Sequence, residues 1–424
     1  MPGLLKLKDE LDTNKERYLE ILKELVAIDT HDIGHGIDGG LEKSGQEYII
    51  AMLEKAGAAD ITVDQLSEAT IQRSIREFQE GNPGHNYDNR YNVYARFSGS
   101  GGRTIMFNGH IDTMPPGDER LWTSPPHKPE IRSGRLYGLG VCDMKAGLLA
   151  SMLAVDLIKR AGMNLPGDVI ITSVVDEEGG GNGSIAAALA GERADAVVVC
   201  EPTDYELIAA HMGFIFFEVS IKGKAVHSGS KWLGVSAIDK AIKIIASLNE
   251  LEHNWLLRYK HMLLPSPNLN VGVIDGGTAG STVAASCVFK TCVHYLPGLM
   301  TREQVIDDFN KALSLCCDGD NWLKDNRPEV TIYQAGGAFE MDTGHEFVRT
   351  FCSAFKNSLG REVRLTGSPA GCDARIWKNI AGLPTLQYGP GSIAQCHAID
   401  EYIETNQFFD AILLYAQLIL EWCV

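Results

Sequence analysis

The sequence predicts an α/β protein in which a mixed, mostly parallel sheet is flanked by helices and a smaller α+β domain is inserted. Residues 169–175 and 196–200 are continuous apolar runs, typical of parallel strands covered on both faces. Helical patterns alternate with these runs, as in α/β folds. Beyond residue 212 the strands alternate apolar and polar residues, which indicates a half-exposed sheet. A length of 424 residues also favours two domains.

The elements of the larger domain follow in chain order. Residues 16–28 and 44–57 carry apolar side chains at helical spacing and are joined by a loop. The segment 80–90 is polar, and we expect a surface loop there. The next two strands, 92–99 and 103–111, are expected to pair with each other. An alternating series then follows: helix 140–162, strand 168–175, helix 182–191 and strand 194–200.

The inserted domain begins where the strand pattern changes. Its predicted elements are the strand 213–227, the helix 234–251, the strands 268–277 and 281–298, and the helix 301–316. This order predicts a small α+β sandwich. We therefore divide the chain into 1–211 as the first part of the larger domain, 212–327 as the insertion and 328–424 as the return.

Composition excludes several classes of protein. A net charge of −17 argues against a nucleic-acid partner, because such a partner requires positive charge. No apolar run approaches the roughly 20 residues that span a bilayer. The N-terminal residues 1–17 are charged and lack an apolar signal core, which predicts a cytoplasmic protein without a membrane partner. The ten scattered cysteines fit reduced thiols in that compartment.

Acidic and histidine residues follow the buried strands of the larger domain. In addition, Asp143 lies at the start of the helix after residues 138–140, and His397 follows the loop 389–391. In parallel sheets, sites form at the carboxyl ends of the strands, so these residues can converge. Each has an ordinary alternative explanation, as a turn residue, a helix N-cap or part of a solvated loop. Their shared location favours one site instead. The residues concerned are His110, Asp112, Asp143, Asp176, Glu177, Glu178, Glu201 and His397.

So many carboxylates in one place would repel each other unless cations neutralised them. Two histidines with three or four carboxylates, and no cysteine pair at zinc-finger spacing, indicate a two-metal hydrolytic site. The Gly-rich stretch 179–183 is a weak signal for phosphate binding because no Walker lysine accompanies it.

Ordered motifs give the chain a family resemblance from about residue 15 to 420. They are GHIDTMPPGDERLWTSPP, GRLYGLGVCDMKAG, DEEGGGNGS, CEPT, GKAVHSG, GCDARIW and GPGS followed by CHAIDEYI. With these motifs the chain resembles the di-zinc amidohydrolases that include acetylornithine deacetylase, succinyl-diaminopimelate desuccinylase, aminoacylase and bacterial glutamate carboxypeptidase. The resemblance implies a zinc-peptidase-like catalytic domain, a lid and dimerisation domain at 212–327, and a homodimer. It also implies two Zn²⁺ per subunit, with Co²⁺ or Mn²⁺ as alternatives.

The resemblance also implies roles for individual residues. Asp143 would bridge the metals, His110 and Glu201 would complete one site, and Glu178 and His397 the other. The remaining roles are Asp112 orienting the His110 imidazole, Glu177 as general base, His227 stabilising the oxyanion across a dimer interface, and Arg375 and Gly391 binding substrate. Since neighbouring residues of an extended stretch point opposite ways, Glu177 and Glu178 could face water and metal respectively.

The predicted activity is hydrolysis of the amide of an N-acyl amino acid or related N-acylated amine by metal-activated water. A dipeptidase or carboxypeptidase with the same site is the alternative, and a non-catalytic metal-binding homologue is a third reading. The lid departs from the family pattern at Ser281, Cys292 and His294, which leaves the acyl group open. Cysteines also precede Asp143, Glu201 and His397, either as apolar fillers or as oxidation-sensitive neighbours of the site.

Overall fold

The computed structural model describes residues 2–424, except the side chain of Pro2. Its helices are α1 (Pro2–Val26), α2 (Lys43–Lys55), α3 (Glu68–Phe78), α4 (Ala146–Arg160), α5 (Asn182–Ala190), α6 (Ala237–Arg258), α7 (Arg302–Asp318), α8 (Glu346–Leu359), α9 (Ala374–Asn379) and α10 (Thr405–Trp422). Its strands are β1 (Asp32–Ile33), β2 (Gly39–Gly40), β3 (Asp60–Gln65), β4 (Tyr91–Phe97), β5 (Gly102–His110), β6 (Glu130–Arg132), β7 (Arg135–Tyr137), β8 (Gly167–Val174), β9 (Ala196–Val199), β10 (Glu206–His211), β11 (Gly213–Lys222), β12 (Asn268–Gly276), β13 (Ser286–Tyr295), β14 (Glu329–Gly336), β15 (Phe339–Glu340), β16 (Arg364–Ser368), β17 (Thr385–Gln387) and β18 (Tyr402–Glu404).

The chain divides into two compact units. Unit 1 comprises Met1–Ala209, Met341–Thr366 and Cys372–Val424, and unit 2 comprises Ala210–Glu340 and Gly367–Gly371. The sequence predicts a return to the larger domain at residue 328. The structure keeps β14 in unit 2, because this strand pairs antiparallel with β11 along most of its length.

Unit 1 is built on a sheet with the strand order β10-β17-β9-β5-β8-β4-β3. The four central strands β17, β9, β5 and β8 are parallel, and the outer strands run antiparallel to their neighbours. This confirms the predicted mixed, mostly parallel sheet. The predicted pairing of strand 92–99 with strand 103–111 is wrong, because β8 lies between β4 and β5. The crossover through α4 brings β8 back beside β5 in parallel, as a βαβ unit requires.

Helices α1, α4 and α10 pack against one another on unit 1. Most residues of α4 and α10 are buried, and the rings of Phe107 on β5 and Tyr415 on α10 lie 4.8 Å apart. Helix α1 begins at Pro2, well before the apolar pattern at 16–28. Within residues 2–424, no helix combines the length and apolarity needed to cross a membrane.

Unit 2 is an antiparallel sheet of order β12-β13-β11-β14 with α6 and α7 packed against it. Burial alternates along β11, so that one face of the strand contributes to the core. Phe217 of β11 stacks on Phe309 of α7 with ring centroids 4.0 Å apart. The predicted α+β character of this part of the chain is confirmed.

The parallel arrangement in unit 1 brings four strand ends to one edge of the sheet. His110 is the last residue of β5, and Glu201 follows β9. The turn 175–181 follows β8, and the loop 388–401 follows β17. Because these four strands are neighbours, the residues after them can share one site.

Candidate active site

His110 is oriented by the backbone at the end of β5. Its imidazole is buried, and Nδ1 donates to the carbonyl oxygen of Asp112 at 2.8 Å. In the neutral ring this leaves Nε2 without a proton. Nε2 nevertheless faces two carboxylate oxygens, Asp143 Oδ1 at 3.0 Å and Glu201 Oε1 at 3.7 Å. An unprotonated nitrogen and two carboxylate oxygens can share this space only around a cation or a proton.

Asp143 lies in the irregular turn Val141–Lys145 before α4, with non-helical φ and ψ. The alternative explanation as a helix N-cap is wrong, since Lys145 occupies that position. One carboxylate oxygen faces His110, and Oδ2 lies 3.4 Å from His397 Nε2. Burial raises the pKa of Asp143, but the adjacent imidazoles of His110 and His397 outweigh it and lower the pKa. The carboxylate therefore spans two histidines, as expected of a bridging ligand.

Glu177 and Glu178 lie in a turn after β8, where the preceding Asp176 adopts a left-handed φ of 62°. The expectation that an extended backbone separates the two side chains is therefore wrong. The turn still directs them to different partners. Glu178 Oε2 lies 3.0 Å from His397 Nε2, whereas the Glu177 carboxylate groups with His110 and Glu201.

Two overlapping sets of side chains could each hold a metal ion. His110, Glu177 and Glu201 form one set and His110, Asp143 and Glu178 the other, with the ligand atoms of each set within 4.8 Å of one another. Burial and the neighbouring Asp143 raise the pKa of Glu178 to about 7 and that of Glu201 well above its usual range. Divalent cations would relieve this repulsion between carboxylates.

Unused oxygen atoms support the same assignment. Among the described residues, Glu178 Oε1 and Asp112 Oδ1 are buried without a hydrogen-bond partner. Asp112 Oδ2 accepts from the backbone N–H of Glu178 at 3.0 Å, and its Oδ1 is 3.6 Å from His110 Nδ1. The predicted orienting contact to His110 is thus made at hydrogen-bond distance by the Asp112 carbonyl. Oxygen and imidazole donors in this arrangement suit zinc or a similar divalent ion.

His397 belongs to the loop after β17 and adopts a left-handed φ of 59°. Its side chain is half exposed, unlike that of His110. Hydrogen bonds to Asp143 and Glu178 raise the pKa of His397 to about 11. A non-glycine residue in this backbone region is strained, and such strain is frequent at functional sites.

Glu401 is a site residue that the sequence analysis missed. Its buried carboxylate accepts the backbone N–H groups of Gly140, Cys142 and Asp143 at 2.8, 2.6 and 3.0 Å. It thereby ties the loop of His397 to the turn of Asp143. Its acidic neighbours Asp400 and Glu404 are not buried, and the sequence pattern does not distinguish Glu401 from them.

The segment 80–90 also differs from the sequence prediction of a surface loop. Arg90 is fully buried, and Tyr87 and Glu80 are 8% and 5% exposed. Arg90 Nη2 lies 2.5 Å from Glu42 Oε1 and 3.0 Å from Asp176 Oδ1. The prediction of a surface loop is therefore wrong for these residues, because distant acids compensate the buried charge.

The two predicted substrate-binding residues lie within unit 1. The Arg375 guanidinium is buried, 3.3 Å from Glu80, and donates to the carbonyl oxygens of Cys372 and Gly180. Gly391 has a φ of 97°, and its N–H donates to Gln407 Oε1 at 3.0 Å. A Cβ at Gly391 would meet Cys142 Sγ at 2.4 Å, so the loop itself requires glycine here. The contact with substrate stays a prediction for both.

The predicted residues of the insertion lie in unit 2. His227 is exposed, and its Nδ1 accepts from the N–H of Gly229 at 3.1 Å. The Ser281 carbonyl accepts from Ser228 N at 2.8 Å. On β13, Cys292 is buried and His294 Nδ1 lies 3.2 Å from Asn268 Oδ1. The catalytic role of His227 stays a prediction.

Comparison with protein families places the chain among hydrolases. Residues 106–421 match the model of Peptidase family M20/M25/M40. This region includes every predicted metal ligand.

Curated relatives cover most of the chain. An N-formyl-4-amino-5-aminomethyl-2-methylpyrimidine deformylase of Bacillus subtilis is 30% identical over 76% of this chain and 79% of its own. An enzyme of the same name from Halalkalibacterium halodurans is 28% identical over 97% of this chain and 96% of its own. An acetylornithine deacetylase of Erwinia tasmaniensis is 31% identical over 86% of this chain and 94% of its own.

Solved structures share the fold over the whole chain. The dipeptidase Dug1p of Saccharomyces cerevisiae superposes with a TM-score of 0.76 at 16% identity, covering 100% of this chain and 99% of its own. The aminopeptidase PepT of Bacillus cereus gives a TM-score of 0.72 at 21% identity, covering 97% and 99%. Together with the matched family model and the curated relatives, this makes the chain an amide-bond hydrolase that belongs to Peptidase family M20/M25/M40.

Proposed function

We propose that the protein hydrolyses the amide of an N-acylated amine, releasing a carboxylic acid and an amine, at a two-metal site in unit 1. The observation that carries the proposal is the Asp143 carboxylate, whose two oxygens face His110 and His397 separately. Glu201 lies beside the first histidine and Glu178 beside the second. This gives each half of the site one histidine, one terminal carboxylate and a share of Asp143.

Two zinc ions, when bound, would polarise the scissile carbonyl and make water more acidic. The chain itself supplies the ligands and holds them. Asp112 holds His110 through its carbonyl and the Glu178 backbone through its carboxylate. Glu401 holds the turn of Asp143. Fixed ligands of this kind keep the geometry constant during the reaction.

Glu177 is the proposed general base. It lies in the same turn as Glu178, close to His110 and Glu201 but without a share of Asp143 in either described set. In this role its carboxylate takes a proton from the attacking water and returns it to the leaving nitrogen. The amine can then depart in its neutral form.

The substrate class is drawn from the matched relatives and from the site. The deformylases and the acetylornithine deacetylase are named for removing small acyl groups from amines. The Arg375 guanidinium is paired with Glu80 and with two carbonyls, which favours an amine without a carboxylate over an amino acid. We therefore propose small N-acyl groups, formyl and acetyl first, on an amine of the aminomethylpyrimidine type.

A substrate panel tests this choice. The zinc-loaded protein is incubated with N-formyl and N-acetyl derivatives of aminomethylpyrimidines, with N-acetyl, N-succinyl and N-carbamoyl amino acids, and with dipeptides, and released amine is measured. Turnover of the first group at the highest kcat/KM is expected. Preference for dipeptides would support a peptidase instead, and preference for acylated amino acids would restore a role for Arg375 on the substrate.

The base assignment is tested by Glu177→Gln. Loss of general-base catalysis is expected to lower kcat by about 10²–10⁴-fold while the metal content stays at the parental value. Metal analysis of the purified variant provides the comparison. Zinc lost together with activity would make Glu177 a ligand, as its position beside His110 and Glu201 also permits.

We further propose that unit 2 mediates a homodimer and that His227 acts in the site of the other subunit. Strand β12 is an edge of its sheet, and Val273 and Ile274 on it are 52% and 51% exposed. Unprotected apolar edges of this kind favour pairing with another chain.

Sedimentation should give a dimer. Mixing His227→Ala with Glu177→Gln subunits should restore activity, and no recovery after proven exchange would exclude the shared site.

A further inference from the structure

Asp176 directly precedes the two carboxylates of the turn and does not itself face the metal sets. Its side chain is fully buried. Oδ2 accepts from His85 Nδ1 at 2.8 Å and from Asn182 Nδ2 at 2.9 Å, while Oδ1 lies 3.0 Å from Arg90 Nη2. Its carbonyl accepts the N–H groups of Gly181 and Asn182. Asp176 is thus held by both its side chain and its backbone.

The segment 80–90 holds the other end of the same turn. Asn82 Nδ2 donates to the carbonyl of Gly180 at 3.2 Å, and Asn82 N donates to Asn182 Oδ1 at 3.0 Å. Arg375, paired with Glu80, donates to the same Gly180 carbonyl. Residues 80–90 therefore contact the turn on both sides of Glu177 and Glu178.

Space around Asp176 is closed. A Cβ at Gly179 would meet Asp176 Oδ1 at 2.5 Å, and one at Gly36 would meet it at 2.2 Å and His85 Nδ1 at 2.6 Å. Asp176 also keeps the left-handed φ of 62°, which is uncommon for a non-glycine residue although aspartate adopts it more readily than most. The carboxylate can leave this position only by breaking its contacts with His85 and Arg90.

We propose that His85 and Arg90, acting through Asp176, are positioning residues that set the locations of Glu177 and Glu178. The inference rests on the proposed function for the roles of those two carboxylates. His85 and Arg90 are remote in sequence from the turn and belong to a segment with no predicted ligand. Their contribution is to hold the turn in the conformation that directs one carboxylate to each metal set. A displacement of the turn by a fraction of an ångström would misalign base and ligand together.

His85 is a more suitable residue for substitution than Arg90. Arg90 also pairs with the buried Glu42, so its removal would leave Glu42 without its ion pair as well as removing one contact of Asp176. His85→Ala deletes one hydrogen bond to Asp176. His85→Asn places an amide N–H near the position of Nδ1 and should restore it. His345→Ala is the control, because the His345 imidazole also forms a local hydrogen bond through Nδ1, accepting from Phe347 N at 3.1 Å at the start of α8, whereas His85 Nδ1 contacts Asp176 and, at 3.3 Å, Asn182 Nδ2.

The readouts are Co²⁺ titration of the metal-free protein, followed by the absorption spectrum of the bound ion, and the kinetics of the zinc-loaded enzyme. For His85→Ala we expect a Co²⁺ site weakened about 10- to 100-fold, an altered spectrum and a kcat lowered by a similar factor with little change in KM. His85→Asn should return toward the parental values, and His345→Ala should keep them. The Co²⁺ readout needs no substrate, so a failure of the proposed function leaves it interpretable.

The result that overturns the proposal is His85→Ala with parental Co²⁺ affinity, spectrum and kcat and only a lower melting temperature. That outcome would show that the contacts of His85 and Arg90 with Asp176 only stabilise the fold. Equal losses in His85→Ala and His85→Asn would also contradict it, since the donated hydrogen bond would then not be the cause.

Discussion

Glu401→Gln is a sharp perturbation because it changes one atom of a buried carboxylate. In the structure Oε1 accepts from Cys142 N and Asp143 N, and Oε2 accepts from Gly140 N. All three partners donate and none accepts, so these hydrogen bonds favour the ionised form, whereas burial and the nearby Asp143 raise the pKa of Glu401 to about 8. The full effect of losing the charge is therefore expected above about pH 8. The glutamine amide has one oxygen and one NH₂ group. Whichever way it turns, the NH₂ must face at least one backbone N–H.

The magnitude follows from counting those bonds. If the amide oxygen takes the place of Oε1, the bonds to Cys142 and Asp143 survive but lose the assistance of the charge. The bond from Gly140 is lost, and its N–H is left buried opposite another donor. A charged hydrogen bond contributes about 1.5–3 kcal/mol, and an unsatisfied buried donor costs about 1–3 kcal/mol. We therefore expect the free energy of unfolding to fall by about 3–5 kcal/mol.

Two measurements check this value. Urea unfolding gives the change in stability, and hydrogen exchange gives the location of the change. The amides of residues 140–146 should lose protection in the variant, because Glu401 holds this turn. Glu404→Gln is the control on the same segment, since Glu404 pairs with Arg135 at 2.7 Å with both side chains more than 40% exposed. Such surface pairs contribute about 0–1 kcal/mol.

The reasoning would be refuted if Glu401→Gln and Glu404→Gln destabilised the protein equally and left exchange at residues 140–146 unchanged. A large loss of stability with unchanged exchange there would also count against it. In that case Glu401 would stabilise the loop of His397 rather than the turn of Asp143.

Two further predictions concern groups outside the ligand set. Burial raises the pKa of Asp320, but Lys240, Lys243 and two backbone N–H groups outweigh it and lower the pKa below 3.8. Asp320→Asn should therefore destabilise unit 2 by about 1–2 kcal/mol at pH 7. Urea unfolding should show the difference in unfolding free energy between parent and variant becoming smaller as the pH falls below about 4. A difference that does not change with pH would exclude the ion pairs as its cause. Cys142 Sγ and Cys396 Sγ lie 3.3 and 4.0 Å from the Ser392 carbonyl. Peroxide should inactivate the enzyme through these thiols, but slowly, because Cys142 is only 1% exposed. A variant with both cysteines replaced by alanine should resist, and equal inactivation of the variant would exclude them as the cause.

The ends of the parallel strands could be predicted because their signal is local. An apolar run followed by an acid or a histidine marks β5, β8 and β9, and parallel topology places those ends together. The convergence of His110, Glu177 and Glu201 in one cluster follows from that rule. The pairing of β4 could not be predicted in this way. Nothing within 92–111 shows that β8, more than 50 residues later, separates the two strands.

The burial of charged residues in the segment 80–90 could not be predicted from the sequence for a related reason. A polar segment with Gly and Asn predicts solvent exposure, and the prediction holds unless a distant partner removes the cost of burial. Arg90 has two such partners, Glu42 and Asp176, which are 48 and 86 positions away along the chain. The prediction of an extended backbone at Glu177 and Glu178 is wrong for a different reason. It assumed the strand continued, whereas β8 ends at Val174.

The two turns that carry the proposed metal ligands Asp143 and Glu178 are held by acids outside the candidate metal sets, and they are held in opposite ways. Glu401 accepts backbone N–H groups of the turn that carries Asp143, so its charge organises a backbone it does not belong to. Asp176 is part of the turn that carries Glu178 and is organised by cations and donors from outside. Neutralising Glu401 therefore frees donors, whereas neutralising Asp176 leaves Arg90 with less compensation. Both substitutions remove negative charge near the site, but they affect the backbone differently. Composition cannot separate these supporting acids from ligands, because both are buried carboxylates; only the identity of their partners does.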